Sequence, residues 1–259
     1  LKKAKLAMLL LLKLLLVPAL IGLISLAAKK WGPGVAGALA GFPVITGSIL
    51  FILSLEQDAA FVREASLAAA LGTSANLVFG IAYSWTARQA RWPACLAAGL
   101  LAYALAVALG HWAQPSGWQS AVFGVLFLPV AGKLFPMPPQ TPDSPPRSAG
   151  MAPRMLAGAA LVLAITSLSA RLGPSLSGLL AVFPVLGSVL AVFSHLSAGP
   201  ATTIRLLRGM VRGFYAFVAF CVALAAALSA WPASAAFGAA LGLAIAVQIL
   251  MMWLGRRHH

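Results

Sequence analysis

Apolar runs of roughly 20 residues follow one another along this chain, each long enough to cross a bilayer core of about 30 Å as a helix. The polar stretches between them are short. That pattern leaves few folds open. A soluble domain does not carry so much apolar surface: 61% of the 259 residues are hydrophobic, 8% are charged and the mean hydropathy is +0.97. An outer-membrane barrel would alternate polar and apolar residues, and these runs do not. The expected class is all-α, a polytopic membrane protein with about nine transmembrane helices.

One stretch occurs twice, which orders everything around it. GPGVAGALAGFPVITGSILFILS, Gly32 to Ser54, returns as GPSLSGLLAVFPVLGSVLAVFS, Gly173 to Ser194. Shared positions include Pro33/Pro174, Gly37/Gly178, Phe42/Phe183, Pro43/Pro184, Val44/Val185, Gly47/Gly187 and Ser48/Ser188. The first copy holds two residues between Val44 and Gly47; the second holds one between Val185 and Gly187. In a continuous helix that slip rotates everything beyond it by about 100°. The expectation is therefore a helix interrupted just after Phe-Pro-Val, where the extra residue is absorbed. Proline already removes a backbone donor there and clashes one turn back.

In order, a first helix lies within Leu1 to Ala28, with a basic lead-in from which Lys13 snorkels; a secretory signal peptide is the alternative. The second runs from about Pro33 to Leu55, and the third from Ala59 to Thr86 after the turn Glu56-Gln57-Asp58. The fourth opens at Trp92-Pro93 and reaches about His111. The fifth covers Trp118 to Phe135. Residues 136–154, rich in Pro and Ser, read as an extended linker in water. The sixth helix spans about Met155 to Ala170 and the seventh Pro174 to Leu196. The eighth runs from Gly199-Pro200 to about Ser229, and the ninth from Trp231-Pro232 to Trp253. Trp92-Pro93 and Trp231-Pro232 stand at equivalent places, so the first four helices match the last four. The expected units are residues 1–113, a linker helix and loop at 114–153, and residues 154–259. A single extra crossing between two four-helix units inverts the second relative to the first, a plan common among secondary transporters.

The net charge is +14, but Lys and Arg sit beside apolar runs, so topology and lipid headgroups explain them better than nucleic acid. Lys29, Lys30, Arg88, Arg91, Lys133, Arg147, Arg154, Arg205, Arg208, Arg256 and Arg257 fall on one side, which puts the C-terminus in the cytoplasm. Lys2, Lys3, Lys5, Lys13, Arg63 and Arg171 fall on the other, and the basic N-terminus argues the opposite way. Cys95 and Cys221 lie in apolar segments without metal-ligand spacing and read as buried thiols. No metal and no cofactor is expected. His258-His259 read as the remains of a purification tag.

The first helix, then G-P-x-x-x-G-x-L-A-x-F-P-V, then the acidic turn Leu55-Glu56-Gln57-Asp58 resemble the small GlpM-type and DUF3147-type bacterial inner-membrane proteins. The resemblance covers about residues 12–112 and 154–254, so the chain looks like two such units fused through an extra helix. The second copy departs from it, with His195-Leu196-Ser197 where the acidic turn would stand. The resemblance implies a multi-pass protein of the bacterial inner membrane. The link to glycerol-phosphate metabolism in the family's name does not fix a substrate.

Interrupted membrane helices free backbone groups and are tolerated where they line a cavity or are buried in protein. Matched breaks at Pro43 and Pro184 thus point to a central site, with Ser48 and Ser188 just beyond them; a kink used only in packing is the plain alternative. Arg212 lies about 18 Å along the eighth helix from Pro200, deep enough to pair with a carboxylate or phosphate beside Tyr215. A structural Arg is as good a reading. On the third helix Thr73, Asn76 and Tyr83 share a face about 80° wide, and Gly72 matches Arg212, so the two polar faces are expected to meet; interhelical hydrogen bonding alone is the alternative. Glu56, Asp58 and Glu64 are candidate coupling-ion residues or a solvated turn. Gln248 is a weaker polar candidate. Gly37-x-x-x-Gly41 and Gly238-x-x-x-Gly242 are expected to permit close helix packing.

The function this supports is a secondary transporter or flippase-like carrier of a small anionic solute or lipid phosphate. Alternating access would turn about the broken second and seventh helices, in a monomer or homodimer in contact with membrane lipid. The alternative is a non-transporting scaffold subunit of envelope polysaccharide or lipid synthesis. No nucleophile–base pair, zinc motif or phosphatase signature stands out, so an intramembrane enzyme ranks last.

Overall fold

A computed structural model describes residues 2–139, 150–164 and 183–257. The first half of the second repeat motif, with Pro174 and Gly178, lies outside the described residues, as do Asp143, Arg147, Arg171 and the terminal His258-His259. The described chain is helical: α1 (Lys2–Trp31), α2 (Pro33–Ala40), α3 (Val44–Ser54), α4 (Ala59–Thr86), α5 (Trp92–Ala113), α6 (Gly117–Leu134), α7 (Met151–Ala164), α8 (Val185–Ala227) and α9 (Ala233–Arg257). The boundaries have local causes. The Asp58 carboxylate accepts from the Phe61 N–H at 2.8 Å and caps α4. Pro93 sits in the first turn of α5, where a missing N–H costs nothing.

Six described stretches are long and apolar enough to cross a bilayer: Leu14–Trp31, Pro33–Ser54, Ala59–Thr86, Trp92–Ala113, Val185–Ala227 and Ala233–Gly255. This makes the chain a helical membrane protein with fewer such stretches than the nine expected. Two causes account for most of the difference. The expected fifth helix, α6, has 18 residues that include Gln119, Pro129 and Lys133, and the described part of the sixth, α7, is shorter than a full span. The third cause is that α8 holds two of the expected helices.

Gly199 interrupts α8 with φ 85° and ψ 177°, and Pro200 follows. A straight helix would hold Gly187 and Met210 about 35 Å apart. Instead a Cβ on Gly187 would lie 3.7 Å from Met210 Cε. The element is thus a hairpin, with a first limb at 185–198 and a second at 200–227. Gly32, at φ 85° and ψ 167° before Pro33, makes the same turn between α1 and α2. Only glycine adopts this backbone region readily. Gly199→Ala should therefore destabilise the protein by about 1–3 kcal/mol, seen as earlier thermal unfolding in detergent; Gly238→Ala, on an open helix face, should not.

Contacts fix the directions of the helices. Gly22 of α1 meets Met151 and Met155 of α7, whereas Val17 and Ile21 meet Gly158, so α1 and α7 run antiparallel. Leu67 of α4 packs with Val222 and Ala225, and Gly80 with Leu207, so α4 opposes the second limb. Gly99 and Gly110 of α5 lie on Phe79 and Leu71, and α5 opposes α4. Likewise Arg212 lies beside Gly255, and the Phe220 and Phe237 rings are 6.2 Å apart, so α9 opposes the second limb.

The tightest packing joins α2 to the second limb. Gly37 lies on the Leu206 carbonyl and Gly209, Gly41 on Gly213, and Gly209 on Gly34, so two Gly-x-x-x-Gly faces cross backbone to backbone. The other expected pair, Gly238 and Gly242, has nothing within 4 Å of either would-be Cβ. Its face on α9 is open, and the packing expected of it is not found among the described residues.

Candidate functional site

Each Phe-Pro-Val makes the same small turn. Pro43 has φ −77° and ψ 41°, and the Val44 N–H donates to the Phe42 carbonyl at 2.8 Å. Pro184 has φ −76° and ψ 61°, and Val185 donates to Phe183 at 2.8 Å. These are inverse γ-turns, which need no donor from the central proline. Both following helices then begin at the valine itself. The break thus lies ahead of the valine, not after it, and the extra residue of the first copy is not absorbed. By hydrogen bonding the match is Gly47 with Ser188, whose N–H groups donate to the Pro43 and Pro184 carbonyls at 2.9 and 2.8 Å.

The break leaves carbonyls without helical partners. Residue 43 has no N–H, so the Leu39 carbonyl takes the Phe42 N–H at 3.2 Å. That frees the Ala38 carbonyl, and Gln248 Nε2 of α9 donates to it at 3.2 Å. Gln248 thus repairs the interruption from a neighbouring helix, as membrane bundles commonly do.

Both breaks face one cavity of about 280 Å³. Gly41, Phe42, Ile45 and Thr46 line it from one side, and Phe183, Pro184, Leu186 and Gly187 from the other. The wall between them comes from α4 and from Leu207, Met210, Phe214 and Phe217 of the second limb. Six phenylalanines make the lining mainly apolar. Its polar side chains are Thr46, Thr73 and Asn76, and no charged side chain lines it among the described residues. Thr73 Oγ1 donates to the Ala70 carbonyl at 2.5 Å. Asn76 Oδ1 is buried and has no partner among the described residues.

The backbone contributes more polarity than the side chains. Ile45 and Thr46 lie in the first turn of α3, and Leu186 and Gly187 in the first turn of the first limb. Their N–H groups have no helical carbonyl before them and make no backbone bond within the described residues. The two helices lead away from the cavity in opposite directions. On α3, Gly47 lies against Phe220 and Phe51 stacks edge-on with Phe237 at 5.3 Å, toward the start of α4. On the first limb, His195 Nδ1 meets the Tyr83 hydroxyl at 3.3 Å, near the end of α4. Two helix N-termini therefore meet at one cavity, each carrying about half a positive charge.

The sequence candidates divide accordingly. Thr73, Asn76 and Pro184 line the cavity, and Pro43 shapes the turn that bounds it. Ser48 and Ser188 do not line it. Ser48 Oγ donates back to the Val44 carbonyl at 2.8 Å, while Ser188 Oγ is buried with no partner among the described residues. Arg212 and Tyr215 are not at the cavity either, and the expected meeting of two polar faces does not occur there. The guanidinium of Arg212 lies at Gly255 instead, and an apolar face of the second limb stands opposite Asn76. Glu56, Asp58 and Glu64 cluster at the turn between α3 and α4; Asp58 is the helix cap, and exposed Glu64 pairs with Arg63 at 3.4 Å. Thr46 lines the cavity as well, and it falls in the stretch that differs between the two copies, so the repeat carries no signal for it. No family model, curated protein or solved structure matches this chain.

Proposed function

We propose that the chain is an integral membrane carrier in which two inverted four-helix units hold a solute between their interrupted helices. The observation that carries this reading is the single cavity bounded by both Phe-Pro turns. The opposed directions of α1 and α7, of α4 and the second limb, and of α3 and the first limb support the inversion. An inverted pair of units can open the same site to either side by rocking one unit against the other. The sequence resemblance to GlpM-type proteins accords with a bacterial inner membrane. Arg88 and Arg91 follow α4, whereas Asp58 and Glu64 mark its start. The positive-inside rule then puts the Arg88 end, and with it the C-terminal end of α9, in the cytoplasm.

The lining narrows the solute. Two helix N-termini supply together about one positive charge, and no cation among the described residues lines the cavity. A dianionic phosphate would keep a charge uncompensated in apolar surroundings, at a cost of several kcal/mol. A monoanion with an apolar body, such as an aromatic carboxylate, balances the charge and covers the phenylalanines. Thr46, Thr73 and Asn76 would then bond its polar end. Purified protein in liposomes should take up labelled benzoate with saturable kinetics and should not take up inorganic phosphate. Benzoate uptake equal to that of empty liposomes, with no thermal stabilisation by benzoate, would remove this reading and favour a scaffold.

A further inference from the structure

Arg154 stands in the first turn of α7. Its Nη2 donates to Ser197 Oγ at 2.9 Å, and its guanidinium lies 5.9 Å from the centre of the Phe193 ring. Its Nε is buried and has no hydrogen-bond partner among the described residues. Ser197 is neutral and itself donates to the Phe193 carbonyl at 2.6 Å. No acidic side chain pairs with Arg154 among the described residues. A half-buried cation without a counter-ion is costly, and in membrane proteins such a group marks a route for charge.

Its position gives that route a direction. Arg154, Gly158 and Val162 recur at helical spacing on one face of α7. Gly158 packs on Val17 and Ile21, and Val162 lines the cavity together with Val17. Arg154 lies about 12 Å from Val162 along the helix. On the first limb, Ser197 and Phe193 lead back toward Leu186 and Gly187 at the cavity. Arg154 is thus a cation at the outer end of the seam between α7 and the first limb, and no cation among the described residues lines the cavity at the inner end.

We infer that Arg154 is an access residue that draws a monoanion into this seam and toward the helix N-termini. This rests on the carrier reading and assigns it a route that the cavity alone does not. The test is the initial rate of benzoate uptake into liposomes by wild type, Arg154→Gln and Arg154→Lys, at low and high KCl. Loss of the charge should raise KM about tenfold with Vmax kept, because a steering charge acts on capture. Lysine should restore it, and added salt should raise the wild-type KM toward that of Arg154→Gln. Saturating benzoate should stabilise Arg154→Gln against heat as much as wild type, since the cavity is untouched. An unchanged KM in Arg154→Gln, or a raised KM that lysine fails to restore, overturns the access role alone. A wild-type KM independent of KCl does the same without any variant. Wild type that benzoate neither stabilises nor crosses overturns the carrier reading, and the access role with it.

Discussion

Gly37→Val should remove the folded protein. Any Cβ at Gly37 meets the backbone of Leu206, Gly209 and Met210, and backbone atoms cannot rotate aside as a side-chain tip can. The second limb is held in turn by Gly209 on Gly34 and Gly213 on Gly41, so α2 cannot slide along it to make room. Overpacking a close crossing costs on the order of 3 kcal/mol, and separating the two helices would also break the Gln248 bond to the Ala38 carbonyl. A loss of that size lowers the folded-to-unfolded ratio more than a hundredfold, a large share of a marginal stability. Size-exclusion of detergent-solubilised protein should show aggregate in place of a single peak. Gly238→Val, on the other Gly-x-x-x-Gly face, should elute as wild type because nothing lies within 4 Å of it. A monodisperse Gly37→Val with unchanged thermal stability would show that the two backbones do not cross this closely.

These two glycine pairs also mark what sequence alone can and cannot read. Both have the spacing for close packing, and spacing says nothing about whether a neighbour arrives. The ends of elements were legible where one residue decides them. Asp58 caps α4 at Ala59, Pro93 opens α5, and Gly199-Pro200 turns α8 back on itself. The slip inside the repeat was legible as a break but not as its kind. A γ-turn closes on the valine N–H, so both helices restart at the valine and Ser48 is carried about 100° out of register with Ser188. Arg212 shows the remaining gap. Counting from Pro200 gives its depth, but azimuth depends on where the partners are. The cavity takes the face of Leu207, Met210, Phe214 and Phe217, and Arg212 is about 200° around the helix from Met210. The site's charge was hidden altogether, because it belongs to backbone N–H groups and not to any residue type.

That hidden charge makes Gly187→Asp the substitution with the largest expected effect on binding. A Cβ there would lie 3.6 Å from Phe79 Cε1 and 3.7 Å from Met210 Cε and Pro184 Cβ, all ordinary contacts, so the side chain has room to start. A carboxylate in the first turn also suits the helix dipole by about 0.3–1 kcal/mol, and the protein should fold. The same carboxylate occupies the charge that the solute needs. Two like charges 4 Å apart repel by about 4 kcal/mol at an effective dielectric of 20, which weakens binding of a monoanion nearly a thousandfold. Gly187→Asn fills the same volume without charge and should bind benzoate within a few-fold of wild type. Thr46→Asp places its carboxylate at the other helix end and should behave as Gly187→Asp does, because the two ends serve one site. Benzoate titrations followed by thermal shift separate the cases. Equal affinities for the Asp and Asn variants would mean that the helix ends do not hold an anion, and the cavity would then have to be read as a site for a neutral apolar solute.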